Sequence, residues 1–94
     1  MKKITLLFFL FVSITFIGQV KGKITDLNNN PLSLVSVYFD KTITGTTSND
    51  NGEYILELKK KGKHTVIFQF LGYKTLKKEV DISSFPFELN VKLD

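Results

Sequence analysis

Thr47-Ser48-Asn49-Asp50-Asn51-Gly52-Glu53-Tyr54 is a polar turn that opens directly into an alternating strand. Asp50, Asn51 and Gly52 read as a tight structural reversal, with Gly52 where φ is positive. From Glu53 onward the pattern has period two. Tyr54, Leu56 and Leu58 share one face, and the charged Glu53 and Glu57 lie on the other. The same alternation continues on both sides. Upstream it places Val20 with Ile24, and Val35 with Val37 and Phe39. Downstream it groups Val66, Phe68 and Phe70, then Phe87, Leu89, Val91 and Leu93. Ile67, out of phase with its neighbours, implies partial cover on the second face of its strand.

The breaks are equally legible. Asn28-Asn29-Asn30-Pro31 forms a loop, because Asn tolerates left-handed angles and Pro presets φ. Lys61-Gly62-Lys63 is a turn, Gly72 is a structural turn ending the strand before it, and Ser83-Ser84-Phe85-Pro86 separates the last two strands. The pattern predicts seven strands, at about 19–26, 34–40, 43–48, 53–59, 64–71, 73–80 and 87–93. Short strands with turns roughly every ten residues predict an all-β, seven-stranded antiparallel sandwich.

A different segment precedes it. Lys2 and Lys3 lead an uninterrupted apolar run from Ile4 to Ile17, 14 residues long. A helix needs about 20 residues to span a bilayer. The segment therefore reads as a signal-peptide helix over residues 1–18, with Gly18 the small residue at the cleavage point. An uncleaved membrane anchor is the alternative. The domain assignment is 1–18 leader and 19–94 sandwich, and the expected location is exported, in the periplasm or outer membrane.

Residues 19–94 make one domain, near the lower size limit for independent stability. The chain has no cysteine, so neither a disulfide nor a lipid-anchored cysteine is available. Setting aside Lys2 and Lys3 leaves eleven lysines against nine acids, a net charge of +2. There is no arginine, the usual bidentate partner of phosphate. That argues against nucleic acid. The run Lys59-Lys60-Lys61-Gly62-Lys63 reads as a solvated hairpin turn.

The one histidine, His64, reads as a solvated residue at a strand edge. A zinc site takes at least three His, Cys or carboxylate ligands, and a Ser-His-Asp arrangement needs a positioned histidine. The carboxylates are dispersed over turns and outward positions. The Asn49–Glu53 segment fails as an EF-hand loop: with Gly52 at its sixth position, Thr47 and Leu58 stand where acids belong. No catalysis, cofactor or metal is expected. Tyr38, out of phase on its strand, and Tyr73, beyond Gly72, are the candidate ligand-facing aromatics.

Taken in order, three blocks carry a resemblance. They are Gly22-Lys23-Ile24-Thr25-Asp26 with Pro31-Leu32 and Val35-Ser36-Val37; Thr47 to Leu56; and Gly62 to Phe68 with Leu71-Gly72-Tyr73. Together they resemble the carboxypeptidase regulatory-like domain, a transthyretin-like Greek-key sandwich. Asn30 stands where that family usually has glycine before proline, and Asn49 replaces an aspartate. The resemblance implies an accessory module without chemistry of its own. Such domains follow the catalytic unit of some metallocarboxypeptidases. In exported Bacteroidetes proteins they sit behind the signal peptide, ahead of a TonB-dependent outer-membrane barrel. Transthyretin-like hydrolases share the fold, but their activity depends on several histidines and an arginine.

The expected function is a non-catalytic exported interaction module, as the N-terminal domain or fragment of a TonB-dependent receptor. The alternative is a small carbohydrate- or peptide-binding module acting alone. Expected partners are a larger receptor or enzyme domain, in cis or in trans, and a glycan or peptide. Membrane association is expected only through a partner or an uncleaved leader.

Overall fold

The computed structural model describes residues 18–94; the signal-peptide helix expected over 1–18 lies, up to residue 17, outside the described residues. Eight strands follow one another: β1 (Gly18–Thr25), β2 (Ser36–Phe39), β3 (Gly45–Thr47), β4 (Glu53–Leu58), β5 (Gly62–Gln69), β6 (Leu76–Ile82), β7 (Phe87–Glu88) and β8 (Val91–Lys92). They form two sheets. One has β1 at its centre, with β4 on one side and β7 and β8 on the other; the second has the order β3-β2-β5-β6. The molecule is an all-β sandwich.

The inward phases of the strands supply the core. Val20, Ile24, Val35, Val37, Phe39, Leu56, Val66, Phe68, Ile82 and Leu93 are all essentially buried. Tyr54 and Val91 join them, and Leu89 packs half-buried against the same cluster. The Tyr54 and Phe68 rings meet edge to face, 5.6 Å apart, an arrangement their quadrupoles favour. Ile67 is buried on the outer face. Its register partners are Tyr38 on β2 and Lys77 on β6. An aromatic ring and a lysine stem beside it can cover it from solvent.

Two details differ from the sequence pattern. First, β1 pairs in parallel with β7 and β8, while the remaining ladders are antiparallel. The reason is the crossover. β6 finishes at Ile82, opposite Gly62, and β7 begins opposite Val20 near the start of β1. The chain therefore changes sheets at the end where β1 starts and runs alongside it. Second, the last strand divides. Leu89 N–H still donates to Lys21 O at 2.8 Å and Leu93 N–H to Thr25 O at 2.9 Å. Between them the Asn90 side chain replaces a backbone acceptor, taking the Lys23 N–H at 2.9 Å. The dip falls over Gly22, where an added Cβ would stand 1.9 Å from Leu89 O. Period-two alternation cannot register a main-chain excursion that depends on a glycine far away in sequence.

His64 also differs from its reading as a solvated residue. It is half-buried, its ring 5.3 Å from that of Phe39, and Nε2 lies 3.0 Å from Lys60 O. It shares the inward phase of β5 with Val66 and Phe68, which accounts for the burial.

Candidate functional site

The corner between β3 and β4 is the most highly bonded polar segment. Ser48 is buried and pins the loop before β2: its Oγ donates to Leu32 O at 2.7 Å and accepts from Val35 N–H at 2.9 Å. Asn49 Oδ1 accepts from Asn51 N–H at 3.0 Å and from Glu53 N–H at 2.9 Å. Asn49 N–H donates to Glu53 O, and Gly52 N–H to Asn49 O, each at 2.9 Å. Asp50 Oδ1 accepts from Ser33 Oγ at 3.1 Å, joining the corner to the loop before β2. Gly52 has φ +76°. A Cβ there would lie 2.4 Å from Ile24 O, the next carbonyl along from Gly52's own partner, Ile24 N–H.

A second polar loop lies beside it. Asp26 Oδ1 accepts from the backbone N–H groups of Asn28 at 2.8 Å and Asn30 at 2.9 Å, and Oδ2 from Asn30 Nδ2 at 3.2 Å. The Asn30 N–H above all, with the Asn30 side chain, the Asn28 N–H and the Lys92 charge, holds the Asp26 carboxyl below its ordinary pKa. In both loops the side-chain acceptors go mainly to the loop's own backbone N–H groups, with Asp50 taking the Ser33 hydroxyl and Asp26 the Asn30 amide, which fixes the corner.

Asp50, Asn51 and Gly52 thus stand together in one turn, and Gly72 stands in another, with φ +88° and open space around it. Tyr38 and Tyr73 do not form a row. Tyr38 lies half-buried on the outer face of its sheet, beside Ile67 and Gly45. Tyr73 stacks on Phe70, with centroids 5.6 Å apart and an angle of 27°, and packs against the core. A shallow groove beside Tyr38 is lined by Ile43, Gly45, Thr46 and Thr47. Among the described residues no group of three or more His, Cys, Asp or Glu side chains is placed to hold a metal ion.

The sequence pattern missed one contact that ties the corner to the sandwich. Tyr54 pairs with Gly22 across β4 and β1, and its hydroxyl donates to Leu89 O at 2.6 Å. Burial pushes the phenol pKa up, so the group remains a donor. The readable signal was an aromatic residue with a polar tip on an inward phase, where such a tip needs a partner.

Comparison with known proteins agrees with this architecture. A family model described as CarboxypepD_reg-like domain matches residues 20–94. Two similar solved structures come from type II cohesin–X–dockerin complexes of Acetivibrio cellulolyticus. One, of a C-terminal interface mutant, has a chain with TM-score 0.55 and 18% identity over 80% of this chain. The other, of an N-terminal interface mutant, gives TM-score 0.55 and 22% identity over 78%. In both cases the match spans 51% of the other chain. No curated protein matches.

Proposed function

The chain belongs to the CarboxypepD_reg-like domain family, and on that premise we propose that it is a non-catalytic interaction module. In this reading it is exported and serves as the N-terminal domain of a TonB-dependent outer-membrane receptor. The observation that carries the module reading is the corner itself. Asn49, Ser48 and Asp26 turn their acceptors onto backbone N–H groups, so the polar residues build a rigid scaffold. The similar solved chains belong to complexes of interacting modules, which supports the same class of role. Crosslinking in intact cells, followed by mass spectrometry of the outer-membrane fraction, tests the context. The expected result is an adduct with a barrel receptor or continuity with one. A free periplasmic chain with no such adduct overturns it.

The second reading is a glycan- or peptide-binding module. The groove beside Tyr38 and Ile43 favours it, since Gly45 in its lining brings no side chain. Glycan-array binding that disappears in Tyr38→Ala would support this reading.

A further inference from the structure

We propose that a second copy of this chain docks on the open edge of β4, joining the two β1-centred sheets into one continuous sheet through an antiparallel β4–β4 pair. The four sheet edges are unequal. β6 carries Lys78 directly opposite the buried Val66, and so on the inward phase. An inward charge on an edge strand repels strand addition. β3 is only three residues long. The edge formed by β7 and β8 is broken at Leu89–Asn90, and Asp94 O beyond it accepts from Lys74 N–H. β4 has six residues, with no proline and no inward charge, and pairs only with β1 among the described residues.

The hydrogen-bond phase of β4 fixes how a copy can add. Glu53 N–H and C=O both face the Asn49 corner, away from β1. Main-chain groups alternate sides along a strand. Those of Ile55 and Glu57 therefore also face outward, toward the open edge. A two-fold antiparallel pairing centred on Leu56 sets Ile55 opposite Glu57 of the second copy, and Glu57 opposite its Ile55. All four residues then exchange bonds with groups that point the right way. The same register sets Tyr54 opposite Leu58 of the copy on the inner face and brings the copy's Lys59 toward Glu53, twice by symmetry. Asn49 already holds the Glu53 N–H and C=O, so that pair is made by side chains alone, where the strand ends. Shifting the centre to Ile55 puts Glu53 opposite Glu57, and shifting it to Glu57 puts that residue opposite itself. Like charges directly opposite are unfavourable. Only the Leu56-centred register combines bond phase with charge complementarity. It also brings the exposed Ile55 side chains (53% accessible) within diagonal reach of each other, and it covers the half-buried Leu58.

Sedimentation equilibrium of the purified chain tests this, across a concentration series at low and high salt. The expected result is a reversible dimer weakened by salt. Glu57→Pro removes one outward N–H without touching the ladder to β1, and should abolish the dimer while circular dichroism stays unchanged. Glu53→Lys and Lys59→Glu should each weaken dimerisation, by about 5- to 30-fold for two exposed ion pairs lost and reversed. The double exchange Glu53→Lys with Lys59→Glu should restore it. A monomer at all concentrations overturns the proposal. So does a dimer that survives Glu57→Pro, or one that the double exchange fails to rescue.

Discussion

At the scale of single residues, the corner depends on one backbone angle and one buried hydroxyl. Gly52 is held at φ +76° with no room for a Cβ against Ile24 O. Gly52→Val should therefore destabilise the domain by more than about 1 kcal/mol, through strain at positive φ. Asn51→Ala should cost less, because the turn uses the Asn51 backbone N–H and not its side chain. Thermal melts of both variants check this. Repeating them with calcium tests the loop as a structural element. A calcium-dependent rise in the parent melting temperature, lost in Asp50→Ala, would contradict that role. Asp26 makes a pH prediction. Its folded pKa lies below the ordinary value of 3.8, so the folded state binds fewer protons than the unfolded chain in the acid range. The associated stability is complete above the unfolded pKa and is lost as pH falls through the folded one. Denaturant midpoints measured below pH 4 should fall less steeply in Asp26→Asn than in the parent. Residue identity alone made Gly52 legible, since glycine after Asp-Asn marks a reversal. Ser48 was not legible: a serine beside a turn reads as solvated, and only the folded chain brings Leu32 O and Val35 N–H to its hydroxyl.

Among the strands, alternation located β1, β2 and β4 because each buries one face. The starts and ends of β1, β4 and β5 fall within two residues of the pattern. The inward positions Tyr54, Leu56, Phe68 and Val91 are buried. Phe68→Ala should cost about 3–5 kcal/mol, the range for a fully buried aromatic replaced by alanine. For a domain this small that approaches a total stability of about 5 kcal/mol. A chemical denaturation curve for Phe68→Ala should accordingly show little folded baseline. The division of β7 from β8 escaped the pattern for a physical reason. Leu89 O leaves the ladder to sit over Gly22, and the Tyr54 hydroxyl reaches across the glycine to bond it. Three residues distant in sequence make one contact, and none signals it alone. Tyr54→Phe keeps the ring packed against Phe68 and removes only the donor. The cost should be about 1–3 kcal/mol, the usual penalty for a polar group left without its partner. A Tyr54→Phe midpoint equal to the parent's would show that solvent replaces the hydroxyl.

For the whole molecule, the two-sheet architecture was legible from strand count and turn spacing, while the parallel closure against β1 was not. Direction depends on where the chain crosses between sheets, and periodicity carries no such information. That closure makes β1 the central strand of its sheet, bonded on both sides. The position at which an exported chain is processed then matters for the entire sandwich. Cleavage after Gly18 would remove only the first residue of β1 and its pairing with Leu58. Val20, the first wholly buried residue of the strand, would remain one residue inside the new terminus. Cleavage two or three residues later would delete Val20 and open one end of the core. The charged start, the short apolar run and the small Gly18 therefore predict a product beginning near Gln19. Intact-mass measurement on cell-envelope material should give the mass of residues 19–94. Recovery of the chain from the membrane with Met1 still at its start would instead establish the apolar segment as an anchor, with the sandwich tethered at the strand that both its neighbours depend on.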